Sequence, residues 1–175
     1  MREDGISQLC EVESEGDYAS LIFERRFLHA QETVWKAITE PEQLAKWYMT
    51  KAKIDGKVGG IIDFISGPSH FHITGKISIW DPPNIFEHEW NVAPLPLRPK
   101  GESAIIRWEL HLEGEETVLR LIHRHLTRQT SFGFAPGTHD FLDQLALYLD
   151  NNPILDWRMR VEELRGCYPR FESKV

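Results

Sequence analysis

Hydrophobic positions along this chain switch between two periods. From Tyr18 to Leu28 they alternate, with Leu21, Phe23 and Phe27 on one face and Arg25 among them, which predicts a half-buried strand. Over residues 29–39 the spacing becomes helical, placing Val34, Trp35 and Ile38 on one face. Pro41 disfavours helix at Glu40 and suits the first position of a second short helix running through EQLAKWY, residues 42–48. Strand signals then return at residues 51–55, at 61–66 with Phe64, and at 71–80, where Phe71, Ile73, Ile77 and Ile79 share a face. The run Asp81-Pro82-Pro83-Asn84 predicts a tight turn, and residues 85–92 put Phe86, His88 and Trp90 on one side. Residues 93–103 form a Pro-rich loop, long for a hairpin connection and a candidate rim. Residues 104–112 and 117–126 read as hairpin arms, carrying Ile106, Trp108, Leu110 and Leu112 on one and Leu119, Leu121, His123 and His125 on the other. Residues 127–138 are expected to be a loop with two Phe, the second rim candidate. A helix follows to about Asp150, with Phe141, Leu142, Leu145 and Leu149 on its apolar face. After Asn151-Asn152-Pro153, a last helix with Trp157, Val161 and Leu164 on one face ends at Gly166.

The resulting order is β-α-α-β-β-β-β-β-β-α with an added helix. Six or seven antiparallel strands and one long amphipathic helix make an α+β layer, in which a curved sheet wraps the helix. Such a wrap tends to leave open space, and cavities of this kind are mostly apolar with a few orienting polar groups. The inward faces supply that mixture: Phe64, Phe71, Trp90 and Trp108, with Arg25, His88 and His123. Three regions are expected: an acidic lead-in over 1–17, loose or weakly paired; the sheet-and-helix body over 18–150; and a helical extension over 151–175.

Composition narrows the functions. The 175 residues carry a net charge of −7, which argues against nucleic acid or an acidic membrane as main partner. Cys10 and Cys167 lie at opposite ends without a CxxC, so no disulfide framework is expected. No apolar run suggests a signal peptide or a membrane span, and a soluble cytoplasmic protein is the expectation.

The motifs in order resemble a known family. ERRF precedes TVWKAIT, then come TEPEQLAKWY, DGKVGG, TGKISIWDPP, IFEHEW, ETVLRLIH and GTHDFLDQLALYL. Together they are similar to the START-like helix-grip superfamily (SRPBCC), within the group of homologues of the activator of the heat-shock protein 90 ATPase. The resemblance implies a seven-stranded sheet gripping the long helix over a hydrophobic cavity, with Trp47 and His123 facing it. The family's usual Gly-Trp at the start of the long helix is Gly137-Thr138 here, and Phe134 or Phe141 is expected to refill the space. Tyr48 is placed at the rim and Leu145 on the inner helix face.

Candidate chemistry is sparse. His123 and His125 are read as inward and His70 and His72 as outward, so the two pairs do not converge and neither metal nor cofactor is expected. Arg25 either reaches a carboxylate with its head or anchors a ligand. There is no GxSxG, P-loop, CxxC or HExxH. The leading expectation is binding of a small hydrophobic molecule, a lipid or aromatic metabolite. A cyclase- or aromatase-like enzyme, with His123 converging on Arg25 or Asp63, is one alternative. A chaperone-associated interaction protein is another, and a homodimer stands as a further partner expectation.

Overall fold

The computed structural model describes residues 7–67, 70–96 and 98–168. Its elements are β1 (Glu11–Glu15), β2 (Tyr18–Phe27), α1 (Gln31–Thr39), α2 (Pro41–Trp47), β3 (Thr50–Ile54) and β4 (Ile61–Ser66). They continue with β5 (His72–Asp81), β6 (Ile85–Val92), β7 (Glu102–Glu113), β8 (Glu116–Thr127), α3 (Arg128–Leu149) and α4 (Trp157–Arg165). The strands form one sheet of eight in the order β1-β2-β8-β7-β6-β5-β4-β3. Since β2 and β3 lie toward opposite edges, α1 and α2 carry the chain across the concave face.

The additional strand is the acidic lead-in. Glu11–Glu15 pairs with Tyr18–Ile22 through a turn at Gly16, whose φ of +58° suits a residue without a side chain. Backbone hydrogen bonds hold this edge, so it needs no apolar alternation, and all five side chains are exposed. Residues 1–6 of the lead-in and 169–175 of the extension lie outside the described residues.

Two bulges correct the expected faces. In β8, Leu126 pairs with Ala19 and His123 with Leu21, so Arg124 and His125 together oppose Ser20. His125 takes a left-handed φ of 63° and turns outward onto Tyr18, with ring centroids 4.0 Å apart. The strict alternation that placed His125 beside His123 therefore breaks one residue too early. In β5 the register slips between Ile77 and Ile79, and Trp80 rather than Ile79 continues the inner row, meeting Trp35 and Phe86. Bulges of this kind also add the curvature that the grip requires.

The segment expected to be a loop at 127–138 is helical. α3 starts at Arg128 and spans 22 residues, with Pro136 inside it. Gly133, Pro136 and Gly137 are poor helix formers, but tertiary packing overrides such preferences. The C-terminal half of α3 docks through Leu142, Leu145 and Leu149, all buried. Each such burial contributes about 1.5–3 kcal/mol as an upper figure.

Beside that docking face, a polar cluster joins α3 to both ends of the described chain. Asp143 takes hydrogen bonds from Ser7 Oγ at 2.5 Å and Arg160 Nη2 at 3.0 Å, and pairs with Arg25 at 3.5 Å. His139, fully buried, bonds Ser7 through Nε2 and Tyr168 through Nδ1, both at 2.7 Å. Burial alone would push the Asp143 carboxyl up, yet the bonds from His139 and Ser7 and the Arg25 charge hold it down at about 2. Gln144 fixes the linker before α4 by accepting from Leu155 N at 2.8 Å and donating to Leu155 O at 3.2 Å.

Candidate functional site

Between the concave sheet and the N-terminal half of α3 lies a cavity of about 210 Å³. The sheet contributes Trp90, Ile106, Trp108, Leu121 and His123, with Phe71 and Ile73 at the far side. Successive turns of α3 contribute Gly133 and Phe134, then Gly137 and Thr138, then Phe141 and Leu142. This stripe repeats every three to four residues, so one helix face forms the wall. A Cβ built at Gly133 or Gly137 would meet no atom within 4 Å. These glycines leave volume open, and Thr138 stands where the family expectation has a large ring. Tyr48 closes one end with its ring 4.4 Å from Phe141. Trp157, Val161 and Arg165 of α4 close another side, and Arg98 of the Pro-rich loop completes the wall.

The polar atoms on this wall are unusual. Arg98 Nη1, Trp90 Nε1, Trp157 Nε1 and both ring nitrogens of His123 are buried without a hydrogen-bond partner among the described residues. Buried polar groups are nearly always paired, and an unpaired one costs about 1–3 kcal/mol. Burial, reinforced by nearby His88, pulls His123 from the ordinary 6.5 down to about 3, so its imidazole is neutral at physiological pH. It therefore offers one donor and one acceptor.

The expected site residues divide by position. Tyr48, Phe71, Trp90, Trp108, His123, Phe134 and Phe141 meet around the cavity. Arg25, Trp47, Phe64, His88 and Leu145 do not join its wall. Arg25 extends to Asp143 and to the Gln8 carbonyl at 2.9 Å. Trp47 is fully buried beneath α1, donating from Nε1 to Ala37 O at 2.9 Å, and stacks against Tyr48. Phe64 and His88 pack behind Trp90. The His88 imidazole, lowered to about 4 by burial, donates from Nδ1 to Glu89 O at 2.8 Å. Leu145 faces the core and is completely buried.

Arg98 and Trp157 enter the site without having been selected as ligand contacts. The signals for them are indirect: one of two cations in a Pro-rich loop, and a Trp on the apolar face of the final helix. Two other arrangements are chemically inert. His72 bonds Asp63 at 3.0 Å on the exposed side of the sheet, and the described residues hold no group of three or more side chains that could ligate a metal. Ser7, His139 and Asp143 form a Ser–His–Asp trio, but Ser7 donates to Asp143. His139 Nε2 must then carry the proton that it shares with Ser7, so it cannot act as the base for that hydroxyl.

A family profile described as activator of Hsp90 ATPase homolog 1-like protein matches residues 29–150. The chain belongs to this family. Its helix-grip fold is also that of solved structures at low identity. CalU16 from Micromonospora echinospora superposes with a TM-score of 0.70 at 22% identity, over 92% of this chain and 96% of that one. Protein MLL2253 from Mesorhizobium loti gives 0.67 at 22% identity, over 77% and 98%. DynU16, a protein of the dynemicin biosynthetic locus, gives 0.64 at 18% identity, over 78% and 49%. Among curated proteins none matches the sequence. The family match ends at residue 150, so this member builds the Trp157, Val161 and Arg165 part of its cavity from outside the matched segment. Among its described residues no helix is long and apolar enough to cross a membrane.

Proposed function

We propose that this family member holds a small, largely apolar molecule between the sheet, α3 and α4. The observation that carries the proposal is an aromatic-walled cavity in which polar atoms of Arg98, Trp90, Trp157 and His123 lack hydrogen-bond partners among the described residues. A dry cavity of about 150 Å³ accommodates benzene. The volume here, about 210 Å³, suits a one- or two-ring molecule or a short folded chain. Ring and aliphatic contacts supply affinity, while His123 and Arg98 fix orientation. The placement of DynU16 in a biosynthetic locus is consistent with a metabolite as ligand.

Turnover has less support. Proton transfer by His123 needs a charged or acidic partner, and neither expected partner reaches it: Arg25 is engaged by Asp143 and Asp63 by His72. With a lowered basicity, His123 is also a weak base. A chaperone partner rests on the family description alone.

Thermal unfolding against a library of aromatic and short-chain compounds tests the binding reading. At least one compound should raise the wild-type midpoint, and Gly137→Leu, which fills the open side of α3, should abolish the shift while remaining folded. A library with no effect on wild type, or one whose effect persists in Gly137→Leu, would overturn it.

A further inference from the structure

Resting on the reading that the cavity holds a small apolar molecule, we propose that this molecule carries a carboxylate seated against Arg98. The chain as a whole has a net charge of −7, yet among the described residues its cavity is lined by two arginines and by no aspartate or glutamate. Arg165 is offset by Glu162 at 2.7 Å. Arg98 differs: its guanidinium carbon lies 4.7 Å from the Phe134 ring centroid and 5.9 Å from that of Phe71, and Nη1 is buried without a partner among the described residues. Contacts to ring faces steady the cation but leave its N–H fork free. That planar fork matches a carboxylate, which can take two parallel hydrogen bonds.

The neighbouring groups ask for the same kind of ligand atom. Trp90 and Trp157 can only donate from Nε1, and both nitrogens are buried and unpaired among the described residues. Trp90 packs edge-on to His123 at 5.5 Å, His123 stacks on Phe134 at 5.8 Å and Arg98 lies over Phe134, so these three orphaned groups share one aromatic cluster, with Trp157 on the wall of the same cavity. A hydrocarbon would leave these donors unsatisfied, and a cation would meet Arg98 directly. A carboxylate has about four lone-pair sites for them and accepts only. His123 contributes one further donor, while its second nitrogen accepts from a hydroxyl on the same ligand.

Calorimetric titration of the full chain with matched acid and amide pairs tests this at neutral pH. Benzoate is compared with benzamide, and 2-naphthoate with 2-naphthamide; each pair shares a shape and differs in charge. The acid should bind about tenfold more tightly than its amide, the factor expected for one charge-assisted hydrogen bond. Arg98→Met, which keeps the apolar stem volume, should remove the preference and leave amide affinity within about twofold. Its circular dichroism and unfolding midpoint report whether it folds, and Arg98→Lys, which keeps the charge without the fork, should restore part of the preference. Equal affinity for acid and amide in wild type overturns the carboxylate assignment and leaves the apolar reading standing. A preference that survives Arg98→Met places the anion elsewhere and also overturns it. If none of the four probes binds, the assignment falls together with the reading on which it rests.

Discussion

Replacing His123 with Leu should make this protein more stable, and the gain should grow in acid. His123 is 2% exposed, and neither ring nitrogen has a partner among the described residues. Leu is close in volume and removes the unpaired polar atoms, worth about 2 kcal/mol at neutral pH from the usual cost of an orphaned buried group. Acid adds a second contribution. The folded-state pKa, about 3, lies below the ordinary 6.5, so only the unfolded chain takes up this proton as pH falls through 6.5. Wild type therefore loses stability from pH 6.5 downward, and the loss stops only near the folded value. At pH 5 the unfolded state is ahead by roughly 1.5 pH units, or about 2 kcal/mol. The His123→Leu variant escapes this loss, so its advantage should reach about 4 kcal/mol at pH 5. His88 titrates in both proteins and cancels in the difference. Urea unfolding at the two pH values, followed by circular dichroism, measures it. A variant less stable than wild type at neutral pH, or an advantage identical at both pH values, would refute the account of His123 as an unpaired, neutral group. A stabilising loss is the expected mark of a residue retained for binding rather than for folding.

Two further outcomes follow from the cluster on α3. Asp140 is buried with Oδ2 unpaired among the described residues, and desolvation raises its carboxyl from 3.8 to about 7. Its folded pKa exceeds the unfolded one, so the penalty is absent below pH 4, grows as pH rises to 7 and is complete above it. Asp140→Asn should therefore stabilise by ~2 kcal/mol at pH 8 after allowance for solvent screening, and negligibly at pH 3.5; an unfolding series with no pH trend would contradict this. Arg25→Met removes a buried cation from Asp143 and should cost about 3 kcal/mol, the low end for a broken buried pair because Ser7, His139 and Arg160 stay on the carboxylate. Ligand affinity should be unchanged, and a loss of affinity with intact stability would return Arg25 to the site.

Much of the fold was legible because one-sided burial writes period two into strands. Phe71, Trp90, Trp108 and His123 could be assigned to the concave face before any coordinates, and they do line the cavity. Errors arose where the backbone itself set the geometry. A single extra residue at Arg124–His125 reverses every later side chain, and nothing in LRLIHRHL signals it. The first turns of α3 contain Gly133, Pro136 and Gly137, whose local preference is against helix; only the sheet beneath them decides otherwise. Arg98 is aimed by the paired Leu95–Arg98 bridge within its loop, which follows no period. Trp157 reaches the cavity through Gln144 and Asp143, long-range anchors that a sequence does not display.

The position of α4 has a consequence for how such pockets diversify. Most of the grip, β3 to β8 and α3, lies within the segment shared with the family, whereas Trp157, Val161 and Arg165 come from a short helix pinned to it by a few polar anchors. The two parts answer to different constraints. Changes in the grip disturb a core of interlocking side chains; on α4, Val161 and Leu164 are buried as well, but Trp157 and Arg165 are not, and changes at those two alter chiefly the cavity wall. On the proposed binding reading, selectivity can thus be rewritten at two positions of a nine-residue helix with little disturbance of the core. In that sense the pocket is a shared bowl with an exchangeable cover.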